Sequence, residues 1–315
     1  MVAIQFCESL AECINENGPA IIAKHVSKLG EIAMSILEKK SIPQSDPDGD
    51  EQADEADSSE YENVLIASAM DLVGALSNAL GPDFVQPLQT FLPQIIKYYA
   101  PTRSPSERAA ATSALGEITA GLKADVTPFT QDILSVLSRA LSDPDAAVRS
   151  NATYAAGLLI EKSTADLSQH FPALLQALQP CFQIPNDEAA EDSRNLRDNA
   201  CGCLARLIMK KPEAVQLEQT LPMLFGALPL LQDMAEWAPV MQCCILLINS
   251  QNPVAMQNLD TMMQLFAHVL ATGQAEGSED VLGGELRGQC VAFVSHLNTQ
   301  FPEKITQAGL QAYLV

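Results

Sequence analysis

The sequence predicts an all-α fold, a right-handed superhelical solenoid of about six to seven two-helix repeats. Three observations predict it. A unit running from Leu141 to Ala152 (LSDPDAAVRSNA) precedes an apolar helical stretch, and variants return at Arg108, Arg197 and Arg287. A copy lacking the arginine lies near Val240, so the five anchors stand 41, 48, 43 and 47 residues apart. Apolar residues make up 47% of the 315, enough for an extended core, whereas aromatics are only 5%. Alanine and leucine dominate, as expected where helices pack closely on helices.

A period of about 40–47 residues is the signature of HEAT repeats. Each such unit leaves an apolar face that only its neighbours can cover, so the repeats stack. The elements follow in order. Residues 2–16 read as the second helix of a repeat, with Ile4, Leu10 and Ile14 among its apolar positions, closed by Asn17, Gly18 and Pro19. The first helix of each later repeat is expected near 21–40, 84–99, 128–141, 167–182, 216–230 and 256–272. The second is expected near 60–80, 104–122, 145–162, 191–210, 235–250 and 282–299, with a short last helix over 303–313. Gly81-Pro82 and Lys211-Pro212 stop helices between repeats. In Asp143-Pro144-Asp145, Asp143 suits the N-cap, Pro144 the first helical position and Asp145 the positive helix end. The whole of 1–315 is expected to be one solenoid, a piece of a longer chain because a first helix is missing at its start.

Charge narrows the function. The net charge of −21 opposes direct nucleic acid binding and suits basic protein partners. The acid is unevenly placed. Turns within a repeat hold Asp46 through Glu62, Asp143 and Asp145, Asp187, Glu188, Glu191 and Asp192, Asp233 and Glu236, and Glu276, Glu279 and Asp280. Turns between repeats hold Lys123, Lys162, Lys210 and Lys211. A solenoid lines up turns of one type, so one edge is expected to be strongly negative over roughly 60–70 Å. The insertion at 41–60 is the extreme, with Asp46, Asp48, Asp50, Glu51, Asp54, Glu55 and Asp57, and no Lys or Arg lies between Asp46 and Glu62. Its composition predicts disorder, either as a solubilising loop or as an acidic arm that attracts basic cargo. A calcium loop fails there, because Glu51 stands where glycine is needed and Asp57 where the bidentate glutamate is needed.

No metal site, cofactor or catalytic constellation is predicted. The eight cysteines form no CxxC pair and are expected to be reduced and buried, as in cytosol or nucleus. His25, His170, His268 and His296 are scattered, and Gly283-Gly284 reads as a turn. The first residues lack a basic leader, and no apolar run of about 18 residues is expected, so no membrane insertion. Six residues separate Asp143 from Arg149 and six separate Glu191 from Arg197, so stacked repeats are expected to form a structural ladder of carboxylate–guanidinium contacts between adjacent units. Trp237 is either core or an aromatic wall beside Glu236 that holds a lysine stem. Asn151 and Asn199 occupy equivalent positions, two residues past Arg149 and Arg197, and either bond an extended peptide or steady adjacent turns.

The stretch from Glu107 to Ala111, with Val148 to Gly157 (VRSNATYAAG), resembles the importin-beta family of nuclear transport receptors, nearest its importin four type, fungal versions included. The resemblance covers most of the chain and implies the C-terminal part of a receptor for histones three and four, ribosomal proteins and lysine-rich localisation signals. It implies that second helices line a concave cargo face, with Asn151, Tyr154, Glu191, Asp192, Asn199, Glu236, Trp237, Glu279 and Asp280 as candidate contacts beside the acidic insertion. It further implies that the GTPase Ran binds N-terminal repeats not present here, that the full receptor meets nucleoporins, and that the protein shuttles between cytoplasm and nucleus as a monomer. The competing reading is a HEAT scaffold that organises an enzyme or cytoskeletal complex, gripping partners by apolar ridges.

Overall fold

The computed structural model describes residues 2–45, 55–187, 190–272 and 280–314. Every regular element among them is helical: α1 Val2–Asn17, α2 Val26–Leu37, α3 Ile42–Ser45, α4 Glu55–Leu80, α5 Val85–Lys97, α6 Pro105–Leu122, α7 Thr130–Ala140 and α8 Ala146–Lys162. There follow α9 Phe171–Leu178, α10 Glu191–Lys210, α11 Leu217–Gly226, α12 Trp237–Asn249, α13 Pro253–Gln257, α14 Leu259–Ala271, α15 Gly283–Gln300 and α16 Pro302–Gln307. Contacts divide the chain into two compact units, Met1–Asp166 and Leu167–Val315.

Second helices lie within a few residues of their expected places, because each is a long run with clear stops. First helices are shorter than expected. The third, fourth and fifth open or close on 3-10 turns or irregular chain, and α9 keeps only Phe171–Leu178 because Pro180 lacks the N–H that would extend it. The expected helix over 256–272 is preceded by a separate turn, α13, whose start is fixed by Asn252 Oδ1 accepting from the Val254 and Ala255 amides. Two start signals are sharp. Ser104 and Glu107 form a capping box at α6. At α8 the N-cap is Asp145, whose carboxylate accepts from the Val148 amide, and not Asp143 as expected.

In the first unit, α1, α4, α6 and α8 pack in succession, while α2, α5 and α7 cover them from one side. Backbones touch where α4 meets α6: a Cβ at Gly121 would lie 2.6 Å from the Ser77 carbonyl carbon. That approach lets Ser77 Oγ donate to the Ile118 carbonyl at 3.3 Å. The adjacent pair Tyr98 and Tyr99 joins neighbours on both sides. Tyr98 donates to the Leu37 carbonyl at 2.7 Å and Tyr99 to Asp143 Oδ2 at 3.2 Å. In the second unit α10 packs on α12, and α12 on α14 and α15.

Contrary to expectation, the stretch Ser59–Lys97 is long and apolar enough for a membrane span by length and composition. It is interrupted at Gly81-Pro82, and 61% of its most apolar window is buried against other helices, which accounts for its hydropathy as core. Cys13 is exposed, whereas the other seven cysteines are buried. Burial pushes the Cys203 and Cys244 thiols up to about 12, which keeps them protonated and unreactive.

Candidate partner-binding surface

Asp46, Asp48, Asp50, Glu51, Asp54 and Glu279 lie outside the described residues. Glu55 and Asp57 fall in the first turns of α4, their side chains likewise outside the description. Glu191 and Asp192 are exposed in the first turn of α10, where their charge also favours the positive helix end.

Several other candidates are engaged within the fold. Asp143, 6% exposed, accepts from Arg108 Nε at 2.9 Å and Nη2 at 2.8 Å, a bidentate fork between successive repeats. Arg149 instead donates to the backbone carbonyls of Asp143 and Pro144, at 2.6 and 2.9 Å. The Arg108–Asp143 fork is a contact between adjacent repeats of the expected kind, whereas Arg149 serves the backbone of its own repeat. Arg197 departs from the expected ladder: it is wholly buried and its guanidinium nitrogens make no hydrogen bond. Asn151 Nδ2 donates to the Ala109 carbonyl at 3.0 Å, the structural alternative of the two foreseen. Tyr154 is half-buried, its ring against Gly116, and Asn199 is buried. Asp280 accepts from Arg287 at 2.7 Å, a guanidinium that also caps the end of α14 at the Leu270 carbonyl.

Glu236 and Trp237 are interior residues, each 1% exposed, which removes them from the accessible surface. Trp237 packs its ring 5.5 Å from that of His268. Glu236 reaches back from the start of α12 to Arg206 of α10 at 2.6 Å. Gly202 makes room for it, since a Cβ there would fall 1.2 Å from Glu236 Oε2.

The Arg108–Asp143 fork yields a stability test. Burial pushes the Asp143 carboxyl up, but the Arg108 hydrogen bonds, the Asp145 amide and the Tyr99 hydroxyl outweigh it and hold the pKa below its ordinary value. A lowered folded pKa contributes stability that is complete above about pH 4 and is lost as the pH falls through the folded value. Asp143→Ala is expected to cost about 2–3 kcal/mol at pH 7 by leaving Arg108 without its carboxylate. The gap from wild type in urea unfolding should shrink below about pH 4.

A group that turn-by-turn reading of the sequence missed lies on the helices themselves. Glu8 on α1, Asp71 on α4 and Glu117 on α6 come from three successive second helices. Glu117 accepts from Asn78 Nδ2 at 3.2 Å. Crowding by the packed helices strips water from the Asp71 carboxylate, the charges of Glu117 and Glu8 repel it further, and its pKa rises to about 6. Asp71 and Glu8 still reach solvent. Asp71, repelled by Glu117 and Glu8 from the neighbouring helices, can receive an ammonium or guanidinium group, which would relieve the repulsion.

Stacked helix pairs at this repeat spacing define a HEAT-repeat protein, and the family model described as "Stalled ribosome sensor GCN1-like, HEAT repeats" matches residues 63–236. The chain is 38% identical over 287 residues to "Probable importin subunit beta-4" of Schizosaccharomyces pombe, a match covering 89% of this chain and 26% of that protein. It is 32% identical over 216 residues to "Importin-4" of Homo sapiens, covering 68% of this chain and 19% of that protein. "Importin-4" of Mus musculus gives 32% over 217 residues, with the same coverage. The chain belongs to the importin-beta family, and it spans about a quarter or less of the length of these relatives.

Proposed function

We propose that this chain is a cargo-binding portion of a nuclear import receptor that takes basic proteins or lysine-rich localisation signals. The row Glu8, Asp71 and Glu117 carries the proposal, since like charges crowded at one place oppose folding and are relieved by a cationic partner. The names of the relatives, all importins, support the transport role. Histones three and four and ribosomal proteins are the proposed cargo class. Exposed Glu191 and Asp192 extend the acidic surface of the second unit, and the insertion from Asp46 to Asp57 adds charge. In the longer receptor, Ran and nucleoporins are the proposed further partners, and the proposed location is the cytoplasm and nucleus, between which it shuttles.

The test is titration of the chain with a labelled histone three tail peptide by fluorescence anisotropy at two salt concentrations, with a scrambled peptide of equal charge as control. Tighter binding of the true tail, falling about tenfold or more between 50 and 200 mM salt, is the expected result. Equal binding of both peptides, or a flat salt dependence, would favour the scaffold reading.

A further inference from the structure

We propose that Ser59 is a phosphorylation site for an acid-directed serine kinase, and that its phosphate docks on Lys39 and Lys40 at the end of α2. No Lys or Arg occurs between Lys40 and Lys97, and Ser59 lies within the acidic part of that stretch. Asp54, Glu55 and Asp57 precede it, and Glu60 and Glu62 follow at the first and third positions. A kinase whose groove is basic reads carboxylates at those places, by the charge complementarity that governs peptide recognition. Ser58 has a serine and a tyrosine there instead. The Ser59 residue is exposed, so its hydroxyl is open to a kinase.

Geometry gives the phosphate a destination. Ser59 and Glu62 are three apart on α4, so their side chains are neighbours on one face, with Cβ atoms about 5–6 Å apart. Glu62 already reaches Lys39, with Nζ to Oε1 at 3.1 Å. Lys40, 71% exposed, is the next residue and pairs with Glu38 at 2.8 Å. In the transfer, Ser59 Oγ bonds to the γ-phosphorus of ATP, the bond from that phosphorus to the bridging oxygen breaks, and ADP leaves. The serine proton passes to the kinase's base. The product carries a charge of about −1.5 to −2 at neutral pH and three acceptor oxygens. It competes with Glu62 for Lys39 and draws in Lys40, tying the first turns of α4 to the end of α2.

The full chain, folded, is incubated with ATP and casein kinase 2 as the acid-directed enzyme, and phosphate is located by mass spectrometry. Modification of Ser59, abolished in Ser59→Ala, is expected. Phosphate found only at Ser45 or Ser58, or none on the folded chain, overturns the site. Docking is read by phosphorus NMR titration of the phosphorylated chain against a phosphorylated peptide of residues 54–64. Lysine pairing lowers the phosphate pKa relative to the peptide, and the combined Lys39→Gln and Lys40→Gln variant removes the shift. Repulsion by Glu60 and Glu62 alone leaves it equal or raised, which overturns the docking.

Discussion

Replacing Gly202 by alanine is expected to destabilise the second unit by about 3–5 kcal/mol, the cost of breaking a buried ion pair. The new methyl would occupy the place of Glu236 Oε2, 1.2 Å away, with the Glu236 carboxyl carbon at 2.3 Å and Arg206 Nη1 at 2.9 Å. Glu236 is 1% exposed, so it has no solvent to swing into, and the 2.6 Å bond to Arg206 is lost as it moves. A control separates this clash from the usual gain in helix propensity. Gly288, inside α15, has nothing within 4 Å of a built Cβ, so Gly288→Ala should stabilise by about 0.5–1 kcal/mol. The opposite signs are read from urea unfolding midpoints. Combining Gly202→Ala with Glu236→Ala should cost less than the sum of the singles, because the methyl then has space. Strict additivity would mean that the carboxylate and the glycine do not share one site.

The same pair shows what the sequence could reveal and what it could not. The repeat period and the stops at Gly81-Pro82 and Lys211-Pro212 locate the second helices, because both are local signals. The first helices are harder, since residues such as Pro180 shorten them without disturbing the apolar pattern. Position in the turns makes Asp143 a structural contact and Glu236 and Asp280 candidate partner contacts. Their partners Arg108, Arg206 and Arg287 lie 35, 30 and 7 residues away, and only the stacking brings the first two pairs together. A carboxylate facing a buried arginine is committed to the fold, whatever its turn suggests. Conversely, Glu8, Asp71 and Glu117 sit within helices whose turns look unremarkable. Their proximity follows from helix order in three dimensions and from no local motif.

Neutralising that row should separate stability from binding. The triple change Glu8→Gln, Asp71→Asn and Glu117→Gln is expected to raise the unfolding temperature at pH 7.5 while weakening binding of the histone three tail about tenfold or more at low salt, roughly 1 kcal/mol or less per lost charge pair. The pH dependence follows from Asp71. Its folded pKa of about 6 exceeds the ordinary aspartate value, so the folded state holds a proton that the unfolded chain releases. Stability from this group is fully present below the unfolded pKa, near 4, and is lost as the pH rises through about 6. Asp71→Asn alone should therefore stabilise at pH 7.5 and make no difference at pH 4. Binding moves the other way: a lysine brought against Asp71 lowers its pKa, so complex formation at pH 6 releases protons that calorimetry in buffers of different ionisation heat can count. Proton release that persists in Asp71→Asn would assign the linkage to another carboxylate. A triple variant that binds the tail as tightly as wild type would remove the row from the cargo surface and leave the exposed acids of α10 and the insertion to account for binding.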